Sequence, residues 1–73
     1  VRNVLIAVGN SADPSFIPSC VDLCDDPSPI VRGMAVWALS RLMPAGAFRE
    51  YAARRNEETD GDVLAEWKSA GAV

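Results

Sequence analysis

The feature that most limits what this chain can become is an internal repeat. Val1-Arg2 recurs as Val31-Arg32, and Ala7-Val8-Gly9 lines up with Ala38-Leu39-Ser40. The turn Asp60-Gly61-Asp62 before Val63 takes the position of Pro29-Ile30 before Val31. The period is about 31 residues, the length of a helical hairpin that cannot hide its apolar faces alone and stacks on copies of itself. Only one repeat is complete, from about Asp13 to Met43. A second helix of an earlier repeat precedes it, and a degenerate hairpin follows in which Leu64 stands where Arg32 did and which reads as a C-terminal cap.

Caps and periodicity predict five helices. The first runs from Val1 to about Gly9, with Val4, Leu5 and Val8 on one face and Gly9-Asn10 as its terminator. The second follows Asp13 as N-cap and Pro14 at the first helical position, and lines Phe16, Ile17, Cys20, Val21 and Cys24 along one side. Pro18 removes an amide donor early in it, which predicts a bend. Ser28 and Pro29 open a third helix to about Met43, where Val31, Met34, Ala35, Ala38, Leu39 and Leu42 form an apolar stripe opposite Gly33, Trp37, Ser40 and Arg41. Pro44 ends it. The fourth spans about Ala45 to Asn56, with Phe48, Tyr51 and Ala52 inward and Arg49, Glu50, Arg54 and Arg55 outward. Thr59 is the expected cap of the fifth, which carries Asp60 and Asp62 in its first turn and a seam of Val63, Leu64 and Trp67. No segment alternates apolar and polar residues between hairpin turn signals. The expected fold is all-α, a short right-handed α-solenoid of about five helices with residues 1–73 as one domain.

Composition narrows the function classes. At 49% hydrophobic and 23% charged the chain is too apolar for a disordered segment, and no apolar run approaches the ~20 residues needed to cross a bilayer. Seven basic against ten acidic residues give a net charge of −3, which argues against strong nonspecific attraction to nucleic acid by this segment alone. Without an initiating Met or a basic leader, the chain reads as a piece of a larger protein. Cys20 and Cys24 lie four apart on one helical face, outside the C-x-x-C pattern, and the chain has no His to complete a zinc set. Two small buried hydrophobes, reduced as suits the cytoplasm, are the expected role. With no His, no Gly-rich phosphate loop and no nucleophile beside a base, an enzyme complete in this chain is the poorest reading.

Ile17-Pro18, Val21, Leu23, Asp26-Pro27, Val31-Arg32, Ala35, Ala38-Leu39 and Leu42 together resemble the HEAT repeat pattern. A narrower likeness comes from Arg2-Asn3-Val4-Leu5-Ile6-Ala7-Val8-Gly9-Asn10 with Asp13-Pro14, from Val31-Arg32-Gly33-Met34-Ala35-Val36-Trp37-Ala38-Leu39, and from Thr59, Asp62, Val63 and Glu66-Trp67. These stretches are similar to the C-terminal HEAT-like region of bacterial epoxyqueuosine reductase. The resemblance implies a parent oxidoreductase that converts epoxyqueuosine to queuosine in tRNA with cobalamin and two 4Fe-4S clusters. It further implies that this region follows the catalytic domain of the same chain, in the cytoplasm, and helps to hold the tRNA. The family's cluster motifs are closely spaced cysteine sets that Cys20 and Cys24 do not reproduce, so no metal, cofactor-binding or catalytic residue carries over.

The candidate RNA-contacting residues are Arg2, Asn3, Asn10, Arg32, Trp37 and Arg41. All but Asn3 have a structural alternative. Arg2 and Arg32 occupy equivalent repeat positions, the second after an acidic turn where HEAT repeats build a ladder of acid to Arg pairs, with Asp25 or Asp26 available to Arg32; the other role is phosphate contact by a guanidinium fork. Asn10 is either a helix terminator or, with Asn3, a nucleotide contact. Trp37 beside Arg41 offers either a core ring or a stacking face for an unpaired base. Arg54-Arg55 is a weak basic site because Glu57 and Glu58 follow at once. The competing function is a protein-interaction or scaffold module, which an acidic solenoid suits; a HEAT-like domain of the phycobilin lyase type is a third.

Overall fold

A computed structural model describes residues 2–55 and 58–71, leaving aside the side chain of Arg2. All regular structure among them is helical: α1 (Arg2–Asn10), α2 (Ile17–Leu23), α3 (Pro29–Leu42), α4 (Ala45–Ala53) and α5 (Gly61–Ser69), with a single 3-10 turn at Pro14–Phe16. The most extensive contacts join α1 to α3 and α3 to α5, so these helices form one layer, and α2 packs on α3 from a second layer that α4 continues. This is a short HEAT-like solenoid with α3 at its centre.

Ser28 and Asp60 fill equivalent cap positions, 32 residues apart. The Ser28 hydroxyl accepts from the Val31 amide, and the Asp60 carboxylate accepts from the amides of Asp62 and Val63 at 2.9 and 3.1 Å. Thr59, the expected cap of α5, is therefore displaced by its neighbour, whose carboxylate also suits the positive end of the helix dipole. The bend foreseen at Pro18 becomes a break. A continuous helix from Pro14 would need the Pro18 amide to reach the Pro14 carbonyl, and that amide does not exist. The Pro14 carbonyl instead accepts from Ile17 in a 3-10 turn, and the α-helix restarts at Ile17, where Pro18 falls in a first turn that requires no donor.

The first helix ends at Asn10, one residue past the expected Gly9, and Ala12 beyond it takes the left-handed conformation at φ 57°. Gly9 is buried inside α1 because the Trp37 ring lies across it: a methyl group placed there would meet three ring carbons, two of them at 3.0 and 3.1 Å. The fourth helix stops at Ala53, short of the expected end, and Asn56 lies outside the described residues.

The core comprises Leu5, Cys20, Cys24, Ala35, Val36, Ala38, Leu39, Phe48, Val63 and Trp67. Val36, off the expected stripe of α3, is buried because α1, α2 and α5 cover this helix on three sides. Leu64 leaves the expected seam of α5 and stands 41% exposed. Phe48 of α4 stacks on Trp67 of α5 with centroids 5.4 Å apart, and Tyr51 tilts against the same indole at 6.0 Å. This aromatic cluster joins the last two helices.

Both cysteines are free and sit in the core. Burial pushes the thiol of Cys20 up and that of Cys24 up to about 12. Thiolates carry thiol reactivity, so neither side chain should react with a maleimide at pH 8 until the chain unfolds. The same shift fixes a sign with alkali. An unfolded thiol ionises near 8.5 while the folded Cys24 keeps its proton, so this contribution is intact below about pH 8.5 and is lost as pH rises through 12. Melting temperatures should fall above about pH 9, and Cys24→Ala should flatten that fall.

Candidate functional site

Polar chemistry concentrates at the edge where the loops before α3 and α5 meet the end of α4. Arg32, in the first turn of α3, reaches across to Glu58 with Nε to Oε1 at 2.9 Å and Nη2 to Oε2 at 3.1 Å. Its Nη1 donates to the carbonyls of Asp26 and Pro27. The Glu58 carboxylate also accepts from the amides of Thr59 and Asp60, so one acid orders the approach to α5 and anchors it to α3. Side-chain exposure is only 18% for Arg32 and 8% for Glu58. The ladder between repeats exists, but its acid is Glu58 and not the carboxylate of Asp25 or Asp26. A backbone amide, from Ser28, takes up the Asp26 carboxylate. Register carried the missing signal: Asp26 and Glu58 each lie two residues before a helix cap.

Arg55 was expected to face outward with its neighbours. Its side chain is 18% exposed and donates to the Tyr51 hydroxyl, the Cys24 carbonyl and the Asp25 carboxylate at 2.9, 3.1 and 2.8 Å. Its guanidinium also lies over the rings of Tyr51 and Trp67. Because α4 ends at Ala53, Arg55 is released from the helical register and folds back over the end of α2. Arg54 stays outside, paired with Glu50 one turn away.

These pairs are electrostatically well matched. Hydrogen bonding to Glu58 raises the pKa of Arg32 further. Partial burial disfavours the Glu58 charge, but Arg32 and the two amides outweigh it and hold the carboxyl below its ordinary range. Burial likewise works against Arg55, and its bonds to Asp25 and Tyr51 still raise it. For Glu58 the folded pKa lies below the unfolded value of about 4.3, so its contribution is present above that pH and is lost as pH falls through the folded value. Glu58→Gln should thus melt earlier than the parent at pH 7, with the two curves converging as the pH is lowered below about 4.3. A difference that persists undiminished in acid would exclude this role.

The other candidate residues lie on the α1–α3 side. Trp37 is half-buried against Gly9, and the Arg41 guanidinium stands over its ring at 5.9 Å from the centroid. Arg41, Asn3 and Asn10 are exposed. Asn3 lies at the start of α1, and Asn10 at its end, next in sequence to the Gly9 that Trp37 covers. The Arg2 side chain lies outside the described residues. Thus the structure gathers Trp37, Arg41 and the end of α1, and commits Arg32 to a different edge.

Between α3 and α5 runs a shallow groove of about 260 Å³, floored by Pro29, Ile30, Met34 and Val63 and rimmed by Asp62 and Glu66. A second space, about 420 Å³ and mostly apolar, opens between α1 and α2. Among the described residues no group of three His, Cys, Asp or Glu side chains is placed to hold a metal ion, and the two thiols are buried and held protonated. That donor set does not fit an iron–sulfur cluster. Among the same residues no helix is long and apolar enough to cross a membrane.

Residues 16–46 match the family model of the HEAT repeat, the stretch that holds α2, α3 and the cap between them. The likeness covers one helical hairpin, in keeping with the stacked arrangement of the helices. Over most of its length it is also similar to epoxyqueuosine reductases. It is 33% identical over 66 residues to those of Bacillus cereus and Bacillus anthracis, covering 89% of this chain and 17% of each relative. It is 36% identical over 63 residues to that of Listeria monocytogenes, covering 85% of this chain and 16% of the relative. The chain thus spans about a sixth of the length of the relatives it matches. No solved structure matches it.

Proposed function

We propose that this chain is a non-catalytic docking module of a longer protein, and that it holds a protein segment carrying an apolar side chain beside basic ones. The groove between α3 and α5 supports this reading: Ile30, 71% exposed, and Met34 offer an apolar floor, while Asp62 and Glu66 supply acidic edges in a chain of net charge −3. Arg32 and Arg55 are committed to internal pairs, which reduces the positive charge free for phosphate. Alanine in place of Ile30 together with Asp62→Lys should abolish retention of the partner and leave the helical spectrum intact. Retention unchanged in a pull-down from the full-length protein would refute the assignment.

A second reading follows from the similarity to epoxyqueuosine reductases. In it the longer protein is a cytoplasmic oxidoreductase of that type, residues 1–73 form a domain beyond its catalytic part, and other residues hold cobalamin and two 4Fe-4S clusters. The domain then helps to hold tRNA. The specific support is the Arg41 guanidinium over Trp37, a cation next to a stacking face. Asn3, exposed at the start of α1, and Arg2 before it are the further candidates of this reading. Arg32→Ala is a poor test because it breaks the ladder; Arg41→Ala is the informative variant. For this reading, tRNA affinity of the full-length protein should fall about tenfold and the salt slope should shrink by about one. Unchanged tRNA affinity would leave the protein-docking reading alone.

A further inference from the structure

Packing gives no reason for Gly33. It stands inside α3, where glycine is the least favourable residue after proline. Gly9 has its reason in the Trp37 ring, but a methyl group built on Gly33 would meet nothing within 4 Å, and its backbone does not take the left-handed conformation that favours glycine. What the missing side chain leaves is room. Gly33 lines the groove between α3 and α5, beside Ile30 and Met34, with Glu66 on the α5 side. Packed helices form both walls of this groove, so its shape belongs to the stack itself.

Two uncommitted carboxylates set the charge of an occupant. Asp62 and Glu66 line the groove together and lie one turn apart on α5, about 6 Å along its axis. Among the described residues neither takes part in an ion pair, whereas Arg32, Arg54 and Arg55 are each paired with another acid. Glu66 is half-buried and Asp62 exposed, so the charge of Glu66 is the less screened and attracts a cation more strongly. At about 260 Å³ the groove falls below the range of about 300 to 1,000 Å³ for small-molecule sites and suits a single long side chain. Building on the docking role of this groove, we infer that it takes one arginine of the partner segment, whose flat guanidinium passes over Gly33 to meet Glu66 and Asp62. The arginine stem lies on Met34 and the neighbouring apolar side chain on Ile30. A planar fork with five donors can serve two carboxylates at once, while the ammonium of a lysine is a strongly hydrated point charge that gives up more water on entry. Any side chain at position 33 would stand where that plane has to pass.

The probe is a short peptide with one arginine between two leucines in a glycine–serine frame, titrated against the full-length protein by fluorescence polarisation. Lysine in place of its arginine should weaken binding about tenfold, and citrulline, which keeps the plane and loses the charge, about a hundredfold. Gly33→Ala should weaken the arginine peptide by about tenfold or more while the melting temperature holds or rises, because alanine favours the helix. Glu66→Gln should erase most of the preference for arginine over citrulline. Equal binding of the three peptides, binding of none, or a Gly33→Ala variant that binds as the parent does would overturn the inference. If the combined change of Ile30→Ala and Asp62→Lys still releases the partner in that case, the docking role stands without the arginine. If that double variant keeps the partner, the docking role itself has failed.

Discussion

Trp67→Ala should cost about 3 to 5 kcal/mol, the range for emptying a large aromatic from a packed core. A domain of this size is stable by only about 4 to 11 kcal/mol at typical per-residue values, so the variant loses a large share of its margin. The melting temperature should drop by about 20 °C or more in circular dichroism melts. Trp67 is the residue through which the last hairpin closes: Phe48 stacks on one part of it, Tyr51 tilts on another, and Arg55 covers it. Its loss frees α4 and α5 together and exposes the end of α3. Leu64→Ala, three positions earlier in the same helix and 41% exposed, should cost far less, about 1 kcal/mol or below. A Trp67 variant that melts within a few degrees of the parent would refute this closure.

The contrast between Trp67 and Leu64 marks how far periodicity can be read. Both are apolar and both fit one stripe of a short helix, and only the position of α4 decides which is covered. The same limit applies to Val36. An amphipathic pattern assigns one face to the core, whereas α3 is wrapped on three sides, and sequence spacing carries no count of neighbouring helices. Local chemistry was more legible. Ser28-Pro29 and Asp13-Pro14 mark helix starts because a short polar side chain and a proline each solve the problem of unpaired amides. Thr59 was a plausible cap by the same rule, and the neighbouring Asp60 prevailed through its charge.

The polar edge was legible in kind and not in partner. Repetition of Arg before an apolar run pointed to a ladder, but the acid that answers Arg32 lies 26 positions away in the next repeat. Nearby Asp25 and Asp26 looked more available by sequence distance alone. Arg55 escaped because its fate depends on where α4 stops, and helix ends are the least determined part of a periodic pattern. Residues that contact a partner leave no such trace: Trp37 and Arg41 have the same spacing whether they meet a base, a peptide or only one another.

Gly9 carries the second large effect, and its sign depends on another residue. In an isolated helix, Gly to Ala is favourable by about 1 kcal/mol. Here the added methyl would fall against the Trp37 ring, and Trp37 is held in turn by the packing of α1 on α3. The backbone of α1 cannot retreat without opening the contact that joins the first repeat to the second. Overpacking of this kind costs about 1 to 3 kcal/mol, so Gly9→Ala should be destabilising in net despite its propensity. In a Trp37→Leu background the ring is absent and the same substitution should become neutral or stabilising. A double-mutant cycle by urea denaturation reads the difference directly as a coupling free energy between positions 9 and 37. Additive behaviour would mean that the ring and the helix do not meet, and that Gly9 serves some end other than the close approach of α1 to α3.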